Sequence, residues 1–230
     1  FFNDTATTEI YTKPSSAASD VYKRQVRSTY SSEMGRALAN KVDQHLLQLA
    51  VLASQASTTI TGGAGGTQIT DADCKTNAGS MITSIFDCAQ ALDEADVPST
   101  DRYAVVTPAI YYNLVENDKI LNRDFGGQNG VYSDGTVIKV AGVNIVKANT
   151  AVSAFANVSQ VTGTNNTYHG NFSTTVAVVF HKSAIGTVKL MDLGMESEYD
   201  IRRQGNLMVA KMALGHGILR PESACEIKKS

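Results

Sequence analysis

The sequence predicts an α+β protein, and two observations support this prediction. In the first quarter of the chain, apolar residues recur every three to four positions, which is typical of an amphipathic helix. In the last quarter, long β-rich runs follow one another, after a region that mixes helical and strand patterns. The 230 residues, 43% of them hydrophobic, suffice for one large or two small domains with a real core.

Two long helices are predicted. The first spans Ser28 to Leu52, and its apolar stripe consists of Met34, Leu38, Val42, Leu46 and Leu49. A connector, "STTITGGAGGTQ", follows from Ser57 to Gln68. The second helix spans about Asp71 to Ala95, with a predicted buried face of Met81, Ile82, Ile85, Phe86, Ala89 and Leu92.

The middle of the chain alternates short strands and turns. "RYAVVT", from Arg102 to Thr107, predicts a buried strand, and Thr107 can cap a helix that begins at Pro108. "TVIKVAGVNIVKA" predicts a hairpin that turns at Ala141-Gly142. A polar loop over 152–172 separates this hairpin from the predicted buried strand "TTVAVVFHK".

The last third predicts long strands. "SAIGTVKLMDL" and "ESEYDIRRQ" lead into "NLMVAKMALGHGILRP", whose alternate residues are apolar on both faces. That pattern predicts a strand covered on two sides. Pro221 limits strand pairing at its end.

The first 25 residues are predicted not to be natural protein. "NDTATTEIYT" and "SSAASDVYKRQ" lack helical or strand periodicity, and each equals the translation of a sequencing adapter, in the order the adapters occur. We therefore set residues 1–25 aside as a disordered artefact of translation. On this hypothesis the natural N-terminal part of the protein is missing.

Composition argues against several classes of protein. A formal charge of −2 provides no general attraction to nucleic acid or anionic membranes, and no apolar run is long enough to span a bilayer. The three cysteines, Cys74, Cys88 and Cys225, form neither a disulfide framework nor a zinc motif. They suit a reducing cytoplasm.

Catalytic and ligand-binding motifs are weak. The four histidines have no partners at metal-ligand spacing, and the loop Gly62–Gly66 lacks the Lys-Ser/Thr of a phosphate-binding loop. In "GHGILRP", Gly215 and Gly217 fit close backbone approach or a bulge, and His216 fits a packed strand residue. No catalytic, cofactor-binding or metal-binding residue is assigned.

Three arginines are candidates for contacts between subunits. Arg202, Arg203 and Arg220 lie on or beside the predicted long strands. Guanidinium groups in such positions can pair with carboxylates of a neighbouring copy.

The C-terminal third resembles one family. The segment from Phe180 to Ala224, above all "HKSAIGTVKL" and "AKMALGHGILRPESA", is similar to the end of the major capsid proteins of short-tailed double-stranded DNA phages of the autographivirus kind. Upstream, "VRSTYSSEMGRALA", "DVPSTDRYAVVTPAIYYNLV" and "VAGVNIVKAN" resemble the same family. The resemblance covers nearly all of Val26 to Ser230 and weakens in the loops at 58–70 and 151–171.

This resemblance implies the Hong Kong 97-like capsid fold, which has a peripheral domain with a spine helix and long strands, and an axial domain. It places the spine helix and connector at 26–70, the axial domain at 71–165, and the end of the axial domain with the return to the peripheral long strands at 166–230. The family's N-terminal arm and extended loop have no counterpart here, which agrees with the adapter hypothesis.

The function that the resemblance implies is structural. Copies would assemble as hexamers and pentamers, with a scaffolding protein and a portal, into an icosahedral head around double-stranded DNA. Such a protein would reside in the virion after assembly in the bacterial cytoplasm, without enzymatic activity, cofactor or membrane. Two alternatives remain open: a hydrolase or nucleotide-binding enzyme using His216 and Gly62–Gly66, and an adhesin suggested by the Thr/Asn/Gly-rich loops.

Overall fold

The computed structural model describes residues 5–57, 64–117, 130–131, 136–137, 139–158, 168–202 and 205–230. The helices are α1 (Thr5–Gln55), α2 (Ala78–Glu94), α3 (Pro108–Val115) and α4 (Thr150–Ala154). The strands are β1 (Thr67–Thr70), β2 (Arg102–Val106), β3 (Gly130–Val131), β4 (Thr136–Val137), β5 (Lys139–Val140), β6 (Val143–Lys147), β7 (Asn157–Val158), β8 (Gly170–Asn171), β9 (Thr175–His181), β10 (Ile185–Asp200), β11 (Gly205–Ile218) and β12 (Ala224–Lys228).

The chain divides into two compact units. One consists of Phe1–Lys41 with Lys189–Ala213, and the other of Val42–Val188 with Leu214–Ser230. We call them the hairpin unit and the sheet unit. The predicted peripheral and axial boundaries at residues 70 and 165 do not coincide with this division, and they stay predictions.

A six-stranded sheet organises the sheet unit. Its order is β1-β12-β9-β2-β6-β5, with β1 parallel to β12, β2 parallel to β6, and the other neighbours antiparallel. One face packs against α2 and α3 through residues such as Ala104, Val179 and Ile227. The opposite face packs Val105 and Val178 against the end of α1 and against α4. The mixed α+β class predicted from the sequence is confirmed.

Local signals explain why α2 forms where it does. Met81, Ile85, Cys88 and Leu92 recur on one face and are buried against the sheet. Asn77 caps the helix, because its side-chain oxygen accepts a hydrogen bond from Gly79 N at 2.8 Å. The helix therefore begins seven residues later than the predicted Asp71.

One residue of the predicted buried face of α2 is misplaced. Phe86 is 54% exposed, whereas Met81 and Ile85 are buried. A side chain at the border of an apolar stripe can turn either way, and the stripe of α2 is narrower than its composition suggests.

The predicted hairpin at Ala141-Gly142 is confirmed as β5 and β6. Ala141 has φ 51° and Gly142 has φ 77°, as a tight turn with two left-handed residues requires. The helix at Pro108 is also confirmed, although the side chain of Thr107 makes no capping hydrogen bond.

Two predictions of irregular structure were wrong, and a third stays a prediction. The helix α1 begins at Thr5 and so includes most of the segment set aside as an artefact; that residues 1–25 are not natural protein stays a prediction. The connector contains the start of β1, which is held by parallel pairing to β12. The polar loop over 152–172 includes the end of α4 and the short pair β7–β8, while 159–167 lies outside the described residues.

The prediction that the last long strand is covered on two sides is not met within one copy. In β11, Leu207 and Val209 are each 45% exposed, and the strand pairs only with β10 in a two-stranded sheet. A sequence pattern records which residues need covering, but it does not say whether the same chain covers them.

A buried acid joins α1 to the centre of the sheet. Glu226 of β12 is fully buried, and its two carboxylate oxygens accept hydrogen bonds from Gln55 Nε2 at 2.9 Å and Thr175 Oγ1 at 2.5 Å. Both donors are needed, because a buried carboxylate without partners is strongly destabilising. This network was not predicted.

Arg102 holds the turn between α2 and β2. Its guanidinium is buried and donates to Asp93 Oδ1 at 2.6 Å, and to the carbonyl oxygens of Val97 and Pro98. It therefore supplies donors to two carbonyl groups of an irregular segment.

We expect Arg102→Met to lower the free energy of unfolding by about 2–4 kcal/mol, because both carbonyl groups lose their donor and the packing is disturbed. Urea unfolding followed by circular dichroism measures this. The matched control is Arg202→Met, since Arg202 is exposed, and a change within about 0.5 kcal/mol is expected there. Equal effects of the two substitutions would contradict the role of Arg102 in holding the turn between α2 and β2.

Candidate assembly surfaces

The predicted enzyme site around His216 is not assembled. Its ring Nδ1 lies 3.0 Å from Thr187 Oγ1, its backbone N–H donates to Tyr168 Oη at 3.0 Å, and the Tyr168 ring stacks on His45 at 4.6 Å. No carboxylate among the described residues contacts the ring to orient it, as a general base requires. The geometry is that of a packed residue in a strand.

His216 is nevertheless relevant to stability at acid pH. Burial lowers its pKa below the usual 6.5, and its Nε2 is buried without a hydrogen-bond partner in the described part of the chain. Protonation would place a charged N–H where nothing accepts it.

The expected consequence is acid sensitivity. The pKa is lower in the folded chain, so the unfolded chain binds the proton first and stability falls as pH drops below 6.5. We expect His216→Gln to lose less stability than the wild type between about pH 7 and about pH 5. Burial also lowers the pKa of His181, and that contribution remains in both proteins. If the free energy of unfolding of the two proteins falls equally with pH over this range, the prediction is wrong.

In the glycine loop of the nucleotide-binding hypothesis, the two described glycines, Gly65 and Gly66, allow close packing. Gly62 and Gly63 lie outside the described residues, but a side chain on Gly65 or Gly66 would collide with the backbone at the end of α1. A Cβ on Gly66 would lie 2.5 Å from the carbonyl oxygen of Ser54. These glycines allow the chain to pass close to the helix.

A cleft elsewhere in the sheet unit does not restore the enzyme hypothesis. It has a volume of about 490 Å³ and is lined by two lysines, Lys75 and Lys229, with Ser173 and Thr174. Neither a histidine nor an acidic residue lines it, so it has no acid–base pair for hydrolysis. His216 is not among its lining residues.

The described residues contain no metal-binding site, and their three cysteines are buried. No group of His, Cys, Asp and Glu side chains there could hold a metal ion. Burial raises the pKa of Cys74, and a hydrogen bond with Cys225, together with burial, raises that of Cys88. None of the helices in the described ranges is long and apolar enough to cross a membrane.

The predicted arginines occupy different environments. Arg220 is partly buried and bound within the same chain, to Glu222 at 2.7 Å and to the carbonyl oxygen of Ala95 at 3.2 Å. Arg202 is exposed and makes no salt bridge within the described ranges. Arg203 lies outside the described residues.

The geometric role predicted for Gly215 and Gly217 does not arise within one copy. A Cβ at either position would meet no atom within 4 Å, and neither residue has a left-handed backbone. Within one copy, the described structure therefore leaves room for a side chain at Gly215 and at Gly217.

The most unusual surface belongs to the hairpin unit. The β10–β11 hairpin exposes large apolar side chains, of which Leu190 is 88% and Ile201 81% exposed. The other exposed apolar residues of this hairpin surface are Met191, Leu193, Met195, Tyr199, Leu207 and Val209. Such a concentration on one element indicates a surface that another molecule covers.

The hairpin is held in place by a few contacts in its own unit. Ser31 Oγ of α1 donates to Met195 Sδ at 3.2 Å, and Gly35 admits the side chains of Met195 and Leu193. Lys211 pairs with Glu196 across the two strands, and Lys189 lies 3.0 Å from Asp192, whose pKa it lowers. The charged residues thus pair among themselves, while Leu193 and Met195 lie beside α1 and other apolar residues, such as Leu190, stay exposed.

A mixed sheet, a long helix and an uncovered apolar hairpin are typical of a protein that associates with other molecules. Residues 22–228 match the family described as "Gp10A-like: Major capsid protein". The chain belongs to this family of phage capsid proteins.

Relatives in sequence are also phage capsid proteins. The major capsid protein of Escherichia phage T7 is 28% identical over 222 residues, and that of Enterobacteria phage T3 is 27% identical over 230. Each alignment covers 86% of this chain and 64% of the relative. The chain therefore spans less than two thirds of these curated relatives.

Solved structures show the same fold. The capsid structure of cyanophage P-SCSP1u matches with a TM-score of 0.80 and 40% identity, over 89% of this chain and 66% of that one. The mature capsid of bacteriophage PhiM1 matches with a TM-score of 0.67 at 21% identity, over 85% of this chain and 62% of that one, which concerns the fold alone. The predicted phage capsid fold is confirmed.

Proposed function

We propose that copies of this chain form the wall of an icosahedral phage head that encloses double-stranded DNA. The observation that carries the proposal is the apolar β10–β11 hairpin, left uncovered in one copy of a chain that belongs to a capsid family. In a shell, symmetry repeats each contact on every copy, so the surfaces that one copy leaves open are covered by others.

The finer features follow the resemblance to the family. Copies are arranged as hexamers and pentamers, a scaffolding protein guides assembly, and a portal occupies one vertex. The spine helix and connector at 26–70 belong to the peripheral domain, 71–165 forms the axial domain, and 166–230 ends the axial domain and returns to the long strands of the peripheral domain. Assembly takes place in the host cytoplasm, and the product is the virion.

The role is mechanical and not enzymatic. The supporting observations are that the relatives are capsid proteins and that the described surroundings of His216 contain no orienting carboxylate. A net charge of −2 suits a wall that contains DNA without binding its sequence.

Of the three arginines, Arg202 fits best as a contact between copies, since it is exposed. Arg203 stays a proposal of the same kind. Arg220 has partners in its own chain, so its contribution between copies is through the geometry of the segment that it holds. Gly215 and Gly217, open on their own copy, allow a neighbour to approach the backbone closely.

The test is to express the complete gene together with a scaffolding protein and to examine the lysate by sedimentation and negative-stain electron microscopy. Closed shells containing this chain are the expected result. A complete, folded product that stays monomeric at every concentration would overturn the proposal.

A further inference from the structure

An acidic groove runs along the outer side of α2. It has a volume of about 600 Å³, and its lining includes Phe86, Asp87, Gln90, Asp93, Glu94 and Ala141. The helical members of this set are spaced one, three and four residues apart, so they lie along one side of the helix. Three of the lining residues are acids and none is basic.

The negative charge of this groove is only partly compensated. Asp93 binds the buried guanidinium of Arg102, and Glu94 accepts a hydrogen bond from Gln90 Nε2 at 2.8 Å. Asp87 and Glu94 form no salt bridge within the part of the chain that the structure describes. Phe86, which also lines the groove, is 54% exposed.

A complementary ridge lies at the other end of β6. Lys147 Nζ is 4.9 Å from the ring centroid of Tyr112 and 5.1 Å from that of Tyr111, and it donates to Tyr112 Oη at 3.2 Å. Tyr112 is 51% exposed. Lys147 has no acidic partner among the described residues, although Glu116 lies one helical turn beyond Tyr112.

The groove and the ridge are separate places on one copy. Ala141, in the groove, precedes β6, while Lys147 ends it, and the five residues of β6 span roughly 13 Å. Both lie on the face of the sheet that carries α2 and α3. One copy can therefore use both at the same time.

We propose that the acidic groove of one copy receives the Tyr112–Lys147 ridge of a second copy. This inference rests on the proposed function, because it names the partner surfaces through which copies join. Each patch carries an exposed aromatic ring next to an uncompensated charge, and the two charges are opposite. Phe86 then packs against Tyr112, and Lys147 approaches Asp87 and Glu94.

The contact is heterologous, since two different patches meet. Repetition of such a contact closes a ring when the rotation that relates neighbouring copies divides evenly into 360°. A single contact of this size is weak, but in a ring every copy makes it twice, once with each patch.

Reversing one charge tests the contact. In the assembly experiment, Lys147→Glu alone, or Asp87→Lys with Glu94→Lys, is expected to lower the yield of closed shells by about tenfold or more. The triple variant with all three reversals is expected to recover to within about twofold of the wild type, because the charges are again complementary. Lys75→Glu is the matched control, an exposed lysine outside both patches, and retains wild-type yield.

Circular dichroism and thermal unfolding confirm that each variant folds; the altered positions are at the surface. If wild-type shells form but the triple variant does not recover, or the single reversals have no effect, the proposed contact is overturned and the capsid function stands. If the wild type forms no shells, both are overturned.

Cross-linking gives a second measurement that does not depend on shell yield. A copy carrying both Glu94→Cys and Lys147→Cys, treated with a short bis-maleimide, is expected to give a ladder of covalent multimers. The native cysteines are buried, so they do not react. Mixed copies with one substitution each should stop at dimers, and cross-linking of Glu94→Cys copies alone would overturn the heterologous arrangement.

Discussion

Replacing Gly66 by alanine is expected to destabilise the sheet unit by about 3 kcal/mol or more. A Cβ there would lie 2.5 Å from Ser54 O, and closer still to Ala53 O and Ser54 Cα. All three are backbone atoms at the buried end of α1, so no side-chain rotation can relieve the overlap. Gly66 N–H also donates to Ala56 O at 3.0 Å, which fixes the position of the chain.

The effect should spread to the edge strand β1, which begins at the next residue and pairs with β12. Thermal unfolding measures it, with an expected fall in Tm of about 6–12 °C. The control is Gly215→Ala, because a Cβ at Gly215 meets nothing within 4 Å, and we expect less than about 0.5 kcal/mol there. If the two substitutions behave alike, the close approach of the chain to α1 is wrong.

Introducing charge on the hairpin is expected to abolish assembly without unfolding the chain. Leu190 and Ile201 are almost fully exposed in one copy, so Leu190→Asp with Ile201→Asp should change its stability by less than about 0.5 kcal/mol. In the shell the same positions are proposed to be covered by a neighbour. Burying two unpaired carboxylates there should lower the yield of shells by about 100-fold or more.

The control for this prediction is Leu190→Met, which keeps an apolar side chain of similar volume and should assemble normally. Sedimentation velocity separates shells from free copies, and circular dichroism reports the fold. Normal shells from the double aspartate variant would show that the hairpin faces solvent in the assembly.

Elements with strong local signals could be predicted from the sequence. The apolar repeat of α2, the Ala141-Gly142 turn and the β-branched run of β9 each specify structure within a few residues. Resemblance to the capsid family, carried by "HKSAIGTVKL" and "AKMALGHGILRPESA", then supplied the fold.

Elements that depend on distant partners were missed. β12 follows Pro221 and is buried from Ala224 to Ile227 because it pairs with β9 and β1, which are far away in the chain. Glu226 in this strand looks like a surface residue in sequence, and only its contacts with Gln55 and Thr175 explain its burial. Such non-local pairing leaves no periodic trace.

The candidate surfaces were predicted in part. Exposed arginines on the late strands were a reasonable expectation, but Arg220 proved to have partners in its own chain. The apolar alternation of β11 predicted a strand covered on two sides, whereas Leu207 and Val209 are exposed in one copy. The surface formed by Phe86 and its acidic neighbours could not be predicted, because the helical pattern assigns an aromatic residue at this position to the buried face.

The most direct test of the capsid account is a cryo-electron microscopy reconstruction of shells assembled from the complete gene product. The account predicts a closed icosahedral lattice of this chain, with the apolar residues of the β10–β11 hairpin covered by neighbouring copies. Particles whose wall is a different protein, or a lattice in which the hairpin faces solvent on both sides, would contradict it.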